Sequence, residues 1–370
     1  MKIALLGAGH IGQTIARHLA GSGDYQVTAF DRSEAALAPL AAAAPGITTA
    51  RLAGEDRDAL RQAFREALIG HDAVVNALPY HLATTAAAAA AESGCHYFDL
   101  TEDVAATREI QRLARGARTA FMPQCGLAPG FIGIVAHHLA QQFDTLHEVK
   151  MRVGALPAFP TNSLKYNLTW SVDGLINEYC HPCEAIRDGA PTEVLPLEGL
   201  EHFSLDGVEY EAFNTSGGLG TLCETLAGRA RTVDYKSVRY PGHRALMRVL
   251  LEELQFRHDP EGLKAILRRA VPATMQDVVL VFVTVSGLKG GQLLEQVFAR
   301  KIFANRDGTH PMSAIQITTA AGVCAAVDLF REGRLPASGF IRQEQVPLPD
   351  FLANRFGQAY EALRPVSAIS

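Results

Sequence analysis

The chain has 370 residues, 48% of them apolar and 20% charged, with a formal net charge of −5. That length is too great for one ordinary core and suggests two domains, and the composition excludes disordered and fibrous classes. With 34 Lys and Arg against 39 Asp and Glu, no basic excess is left to bind nucleic acid.

Residues 1–124 alternate strand and helix. Strand-like runs fall at Ile3–Leu6, Gln26–Phe30, Ile47–Leu52, Ala73–Ala77, His96–Leu100 and Thr119–Met122, with helical stretches at 11–20, 56–68, 81–92 and 103–115 between them. This alternation predicts an α/β fold: a doubly wound, parallel sheet of the Rossmann type with helices on both faces. In the first helix Ile11, Ile15 and Leu19 recur every four residues and make one apolar stripe. The alanine run 86–91 reads as a helix whose small side chains allow close packing on the sheet.

From about residue 145 the pattern changes. β-rich stretches at 147–155, 166–180, 208–215, 277–286 and 294–304 alternate with helices near 219–227, 243–257 and 260–270. They predict an α+β domain on a mixed or antiparallel sheet. A helix over 312–331, a tail punctuated by Pro336, Pro347 and Pro349, and a last helix near 350–362 complete the chain. The domain reading is therefore 1–124, 125–311 and 312–370.

Gly7-Ala8-Gly9-His10-Ile11-Gly12 follows an apolar strand and opens a helix, the context in which G-x-G-x-x-G signals a dinucleotide site. Gly7 permits the tight turn, Gly9 lets a pyrophosphate approach the backbone, and Gly12 lets helix and strand pack closely. His10 and Ile11 start the helix, whose N–H groups favour phosphate. Asp31 ends the second strand, 31 − 7 = 24 positions after Gly7, where a carboxylate accepts from ribose hydroxyls. It points to NAD. Arg32 beside it suits the 2′-phosphate of NADP, which stands as the alternative. Asn76-Ala77-Leu78-Pro79, at the carboxyl end of the fourth strand, is the next expected contact, with a plain strand-ending turn as the bland reading.

Several segments read as a ligand pocket. Asp99 and Glu102 end the fifth strand, and Gln124-Cys125-Gly126-Leu127-Ala128-Pro129-Gly130 follows the sixth. Asn214-Thr215-Ser216-Gly217-Gly218 precedes a helix and could hold a carboxylate on backbone N–H groups. Arg239-Tyr240-Pro241-Gly242-His243 offers a guanidinium suited to bidentate carboxylate binding.

At these residues the sequence resembles the saccharopine dehydrogenase-like family and, within it, looks most like the lysine 6-dehydrogenases. The segments that carry the resemblance are the opening turn, Cys125–Gly130, Tyr166–Tyr179, Ile186–Gly189, Ala212–Gly218, Arg239–His243 and Ser313–Thr319. The turn is generic; Arg239–His243 and Tyr166–Tyr179 are far more specific. Glutamate-forming saccharopine dehydrogenases usually carry an aspartate in the Gly-Leu-x-Pro-Gly segment, where this chain has Ala128. The resemblance also implies that 312–370 returns to the first domain, so that 125–311 is an inserted substrate and catalytic domain.

It further implies an NAD(P)-dependent oxidoreductase acting on CH–NH or CH–NH2 groups, which needs a base to take a proton from the amine. Asp99 is the first candidate and Glu102 the second. Against this stands the bland reading that Glu102 or Thr101 caps the helix beginning near Val104. Tyr80 and Cys125 are candidates to orient substrate or water, Cys125 being equally well a structural thiol. Lys165, Tyr166, Thr215, Arg239 and His243 are candidate substrate ligands, and Lys165, Arg152 and Arg239 would be the carboxylate clamps that saccharopine needs. The expected reaction is NAD-dependent oxidation of the ε-amine of L-lysine to the semialdehyde, with ammonia released. The alternatives are a glutamate-forming saccharopine dehydrogenase and an inactive dinucleotide-sensing protein. The expected partner is a small amino acid, and the expected assembly a homodimer.

The six cysteines at 95, 125, 180, 183, 223 and 324 are scattered, which fits reduced thiols and a cytoplasmic protein. The apolar start runs straight into the glycine turn, so it reads as a buried strand and not a signal peptide. The lipophilic run Val278–Val285 is far short of the roughly 20 residues that span a bilayer, so no membrane is expected. Cys180-His-Pro-Cys183 has the spacing of half a zinc site but lacks a second pair, and His137 and His138 face different ways on a helix. No metal is expected.

Overall fold

A computed structural model describes residues 1–41, 46–54, 56–307 and 310–361. They form two units, Met1–Ile134 with Thr318–Ala359, and Val135–Ile317 with the residues from Tyr360. The divisions fall inside helices, ten residues after the 124/125 boundary read from the sequence and six after 311/312. Helical periodicity runs through both points, so no turn signal marks them. The end of the expected final segment, 362–370, lies outside the described residues.

The first unit opens β1 (Lys2–Leu6), α1 (His10–Gly21), β2 (Gln26–Asp31), α2 (Glu34–Ala41), β3 (Ile47–Arg51), α3 (Arg57–Leu68), β4 (Ala73–Asn76), α4 (Ala83–Ser93), β5 (His96–Asp99), α5 (Val104–Leu113) and β6 (Ala120–Met122). Helix α6 (Phe131–Ala140) leads out of it. Ala86, Ala87, Ala89 and Ala90 of α4 have no exposed surface and join Phe64, Val74, Tyr97 and Phe121 in one core, the close approach that alanine permits.

The second unit contains β7 (Thr145–Pro157), α7 (Val172–Cys180), β8 (Cys183–Arg187), β9 (Ala190–Val194), β10 (Glu201–Leu205), β11 (Val208–Asn214), α8 (Leu222–Leu226), β12 (Ala230–Arg239), α9 (His243–Arg248), α10 (Pro260–Ala270), β13 (Asp277–Lys289), β14 (Gln292–Phe303), β15 (Asn305–Asp307) and β16 (His310–Met312). The long helix α11 (Ala314–Arg331) leads back to the first unit, which ends with β17 (Gly339–Phe340) and α12 (Leu348–Ala353).

The first sheet is entirely parallel, in the order β3-β2-β1-β4-β5-β6-β17. The strand order reverses on either side of β1, so the crevice beyond the carboxyl ends of β1 and β4 is the topological switch point at which such sheets bind ligands. The second sheet is mixed and has eight strands. Along the path β10-β11-β12-β7-β13-β14 only β12 and β7 run parallel, and β8 with β9 attaches at β12. Gly290 and Gly291, both at positive φ, form the two-residue turn that joins β13 and β14 into a hairpin.

One predicted strand is a helix. The 166–180 stretch is rich in aromatic and branched residues, yet 172–180 forms α7. Ser171 caps it by accepting from the Gly174 N–H at 3.2 Å, and Val172, Leu175, Ile176 and Tyr179 fall on one buried face. Spacing of three and four residues outweighed strand propensity. The 243–257 helix is also shorter than expected, ending at Arg248 in a π-type turn over Val249–Glu253. Strands β8, β9, β10 and β12 and the short β15, β16 and β17 were not foreseen. Helix α11 is the one described helix long and apolar enough to cross a bilayer, and 78% of it is buried within the protein.

Candidate active site

The glycine turn lies at the switch point. Gly7 has φ 99°, and a Cβ there would stand 2.8 Å from the Ala77 carbonyl oxygen. A Cβ on Gly12 would meet the Gly7 oxygen at 2.0 Å, so turn and helix can close only without side chains. Gly9 differs: nothing lies within 4 Å of where its Cβ would be, and Gly9 and His10 are exposed at the start of α1 while Ile11 is half-buried. Open space over the first N–H groups of a twelve-residue helix suits a pyrophosphate. Asp31 braces the turn, accepting from the Ala8 N–H at 2.7 Å and the Ser33 N–H at 2.8 Å, while Arg32 is exposed. Asn76 is buried, donating to the Tyr97 hydroxyl at 3.2 Å and accepting from the Leu78 N–H at 3.2 Å. Leu78 and Pro79 follow, and Tyr80 begins a short 3-10 turn. The glycine turn, Asp31 and the Asn76–Pro79 segment thus follow the neighbouring strands β1, β2 and β4 at their carboxyl ends, and the open start of α1 fits a dinucleotide.

Asp99 and Glu102 differ sharply. Asp99 has no exposed surface; it accepts from the Tyr97 hydroxyl at 2.8 Å, the Thr101 N–H at 3.0 Å and the Gln124 N–H at 2.8 Å. Burial raises its pKa to about 6 against those hydrogen bonds. It anchors the loops after β5 and β6. Glu102 is half-buried, and burial, with help from the Asp103 and Asp99 charges, lifts it to about 7. The cap of α5 is neither Glu102 nor Thr101 but Asp103, which accepts from the Ala106 N–H at 2.7 Å.

Cys125 is not a reactive group. It is 1% exposed, its thiol donates to the Met122 carbonyl at 3.0 Å, and burial pushes its pKa far above the ordinary thiol range. A nucleophile needs a stabilised thiolate, and this site opposes one.

In the second unit a chain of hydrogen bonds surrounds Arg239. Its Nε donates to the Tyr179 hydroxyl at 2.9 Å and its Nη1 to the Val238 carbonyl at 2.8 Å, and its guanidinium lies over the rings of Tyr166 (5.2 Å) and Tyr179 (5.8 Å). Tyr179 lies 3.1 Å from His243 Nε2, and His243 Nδ1 lies 2.9 Å from the Leu164 carbonyl. One proton assignment satisfies all of these: Nδ1–H donates to Leu164, Tyr179 donates to Nε2, and Arg239 donates to Tyr179. Burial and then the Arg239 charge hold His243 at about 3, so it is neutral. With both nitrogens engaged and 1% exposure, His243 supports Arg239 and offers no nitrogen to a ligand. Arg239 itself is 3% exposed and, among the described residues, forms no ion pair.

The remaining candidates divide. Tyr166 is buried against Arg239, and Thr215 shares a hydrogen bond with Ser237 at 2.8 Å close by on β12. Lys165 is exposed and bonded to the Pro241 carbonyl at 3.0 Å. Arg152 is gripped by both oxygens of Glu201, at 2.7 and 2.8 Å, which occupy its Nε and Nη2 and neutralise its charge, while its Nη1 is buried without a partner. In the 214–218 turn two of the N–H groups read as carboxylate donors are engaged within the protein, that of Ser216 by the Glu178 carbonyl and that of Asn214 by the Glu198 carbonyl. Helix α8 begins only at Leu222. Cys180 and Cys183 are free thiols raised by burial, Cys183 to about 12, and among the described residues no three His, Cys, Asp or Glu side chains converge on a metal position. Sequence reasoning missed Tyr97, Tyr179 and Gln343. Tyr97 was findable, two positions before Asp99 on one strand and hence on the same face. Tyr179 needed the helix, and Gln343 had no local signal.

The saccharopine dehydrogenase NADP binding domain model matches residues 3–122, and the saccharopine dehydrogenase C-terminal domain model matches 126–356. Among solved structures, the apo glutamate-forming saccharopine dehydrogenase of Saccharomyces cerevisiae shares the fold. The TM-score is 0.75 at 17% identity, over 97% of this chain and 96% of that one. A probable dehydrogenase from Thermotoga maritima (TM-score 0.44, 11% identity, 97% of each chain) is a much looser likeness. So is a myo-inositol dehydrogenase from Corynebacterium glutamicum (0.45, 14%, 92% of this chain and 90% of that one). With a glycine turn shaped for a dinucleotide and both domain models matched along nearly its whole length, this chain belongs to the saccharopine dehydrogenase family and is an oxidoreductase that uses a nicotinamide dinucleotide.

Proposed function

We propose that the protein oxidises the ε-amine of L-lysine with NAD and water, giving the semialdehyde, ammonia and NADH. The observation that carries this reading is the state of the two buried arginines. Arg239 has no ion pair among the described residues, whereas Arg152 is neutralised by Glu201. The Glu178 charge favours the Arg239 guanidinium, and a substrate carboxylate would add a directly bonded anion to a buried charge that is costly to hold alone. One clamp suits lysine, with its single carboxylate; saccharopine carries three. Ala128 in the Gly-Leu-x-Pro-Gly segment agrees.

When bound, the nicotinamide supplies the acceptor for the hydride that leaves the ε-carbon. Asp31 receives the ribose hydroxyls, and its negative charge repels a 2′-phosphate, which favours NAD over NADP. Arg239 holds the substrate carboxylate through its planar fork. Glu102, not Asp99, takes the proton that the ammonium must lose before oxidation, and later moves a proton during hydrolysis of the imine by water. A half-buried carboxyl with a pKa near 7 can do both at neutral pH. Asp99 keeps the loops in place.

Turnover of L-lysine, saccharopine and pentane-1,5-diamine, each with NAD and NADP, tests this directly. Reduction of NAD with lysine well above the other pairs is expected. Saccharopine oxidised faster than lysine would replace the reading with the glutamate-forming one, and tight dinucleotide binding without any turnover would point to a sensor.

A further inference from the structure

The loop after β6 is held from both sides by residues of neighbouring strands. On the β5 side Asp99 accepts the Gln124 N–H through its carboxylate and the Cys125 N–H through its backbone carbonyl, each at 2.8 Å. On the other side stands the C-terminal segment. Strand β17 pairs with β6 in the register Gly339↔Ala120 and Phe340↔Phe121, and the Ile341 N–H continues to the Phe121 carbonyl at 2.9 Å. Gln343 follows at the start of a short 3-10 turn, from which it reaches back to Pro123. Its Nε2 donates to the Pro123 carbonyl at 2.7 Å and approaches the Cys125 sulfur at 3.2 Å. Gln343 is 5% exposed, and Gln124 between the two anchors is buried at φ 65°, where a residue with a side chain is uncommon. A left-handed non-glycine residue persists only where its surroundings over-determine it.

We infer that Gln343 is a positioning residue for the oxidoreductase reaction, fixing the Pro123–Cys125 loop at the carboxyl end of β6. The inference rests on the reading of this strand end as the catalytic side of the first unit. The loop is thus built by two parts of the chain, Pro123–Cys125 and a residue 218 positions from Cys125, and neither alone satisfies its backbone. Losing the amide leaves the Pro123 carbonyl only the long 3.9 Å approach of the Cys125 thiol, a loss the loop can relieve by moving.

Gln343→Met keeps length and removes both donors. It should lower kcat by about tenfold or more while KM and dinucleotide affinity stay within about twofold, the pattern of a defect felt only in the transition state. Alkylation of Cys125 by N-ethylmaleimide, followed by peptide mass, should be faster in this variant than in the wild type. Gln343→Glu adds a second readout, because only the protonated acid can donate to Pro123. Its activity relative to wild type should therefore fall as pH rises through its carboxyl titration. It also serves if the methionine variant does not fold. Unchanged kcat with unchanged Cys125 labelling overturns the proposal, as does a kcat loss that merely follows lost dinucleotide affinity. Labelling needs no substrate, so absence of wild-type turnover with lysine would count against the substrate reading alone.

Discussion

Arg239 is held in place by Tyr179, whose hydroxyl accepts from the guanidinium Nε at 2.9 Å and donates a hydrogen bond to His243 at 3.1 Å. Tyr179→Phe keeps the ring under the guanidinium and removes the hydroxyl's two bonds, from Arg239 and to His243. If Arg239 binds the substrate carboxylate, kcat/KM for lysine should fall about tenfold, or about 1.4 kcal/mol, in both Tyr179→Phe and Arg239→Lys. The same variants should change pentane-1,5-diamine turnover much less, because that diamine lacks the carboxylate. Equal losses on both substrates would show that the arginine does not read it.

The pH profile should report Glu102. A base works only when ionised, so kcat/KM should rise with pH through an apparent pKa near 7, the value to which burial lifts this carboxyl. In Glu102→Gln that limb should vanish and kcat should fall by about a hundredfold or more. Persistence of the limb in the variant would place the base elsewhere.

Cofactor choice should turn on Asp31. Asp31→Ala removes the acceptor for the ribose and the brace on the Ala8 N–H, so the KM for NAD should rise and the preference for NAD over NADP should relax. A wild-type protein that used NADP better would make Arg32 the dominant determinant.

Acid stability should depend on Asp328 in α11. It is 1% exposed and accepts from Tyr25 at 2.6 Å, Asn354 at 2.9 Å, Arg331 at 3.1 Å and Arg355 at 2.7 and 3.0 Å. Burial pushes its pKa up, but the bonds from Arg355, Tyr25, Asn354 and Arg331 win and hold it at about 2. A folded pKa below the unfolded value means stability that is present above about pH 4 and lost as pH falls toward 2. Asp328→Asn should cost about 1–3 kcal/mol at neutral pH by weakening the bonds from Tyr25, Asn354 and the two arginines, while Arg355 keeps its pair with Asp24, and should flatten the loss of Tm over that acidic range. Thermal melts from pH 7 downward measure both.

The parallel sheet, the glycine turn and the place of Asp31 could be read from the sequence because each rests on local rules: period, turn chemistry and the spacing between strand ends. The 172–180 helix could have been read too, had its three-and-four spacing been weighed above its strand-forming residues. The chemistry of individual side chains could not. Asp99 and Glu102 are three positions apart and chemically alike, yet Tyr97, Thr101 and Gln124 enclose one while the other stays half-open with a raised pKa. Cys125 stands in a recognisable segment, but only burial shows that its thiol is inert. Arg152 and Arg239 look equivalent in sequence, and distant Glu201 pairs with one and leaves the other. Gln343 reaches Cys125 from 218 positions away. Backbone pattern is set by neighbours along the chain, whereas protonation, ion pairing and loop position are set by neighbours in space, and those exist only once the chain has folded.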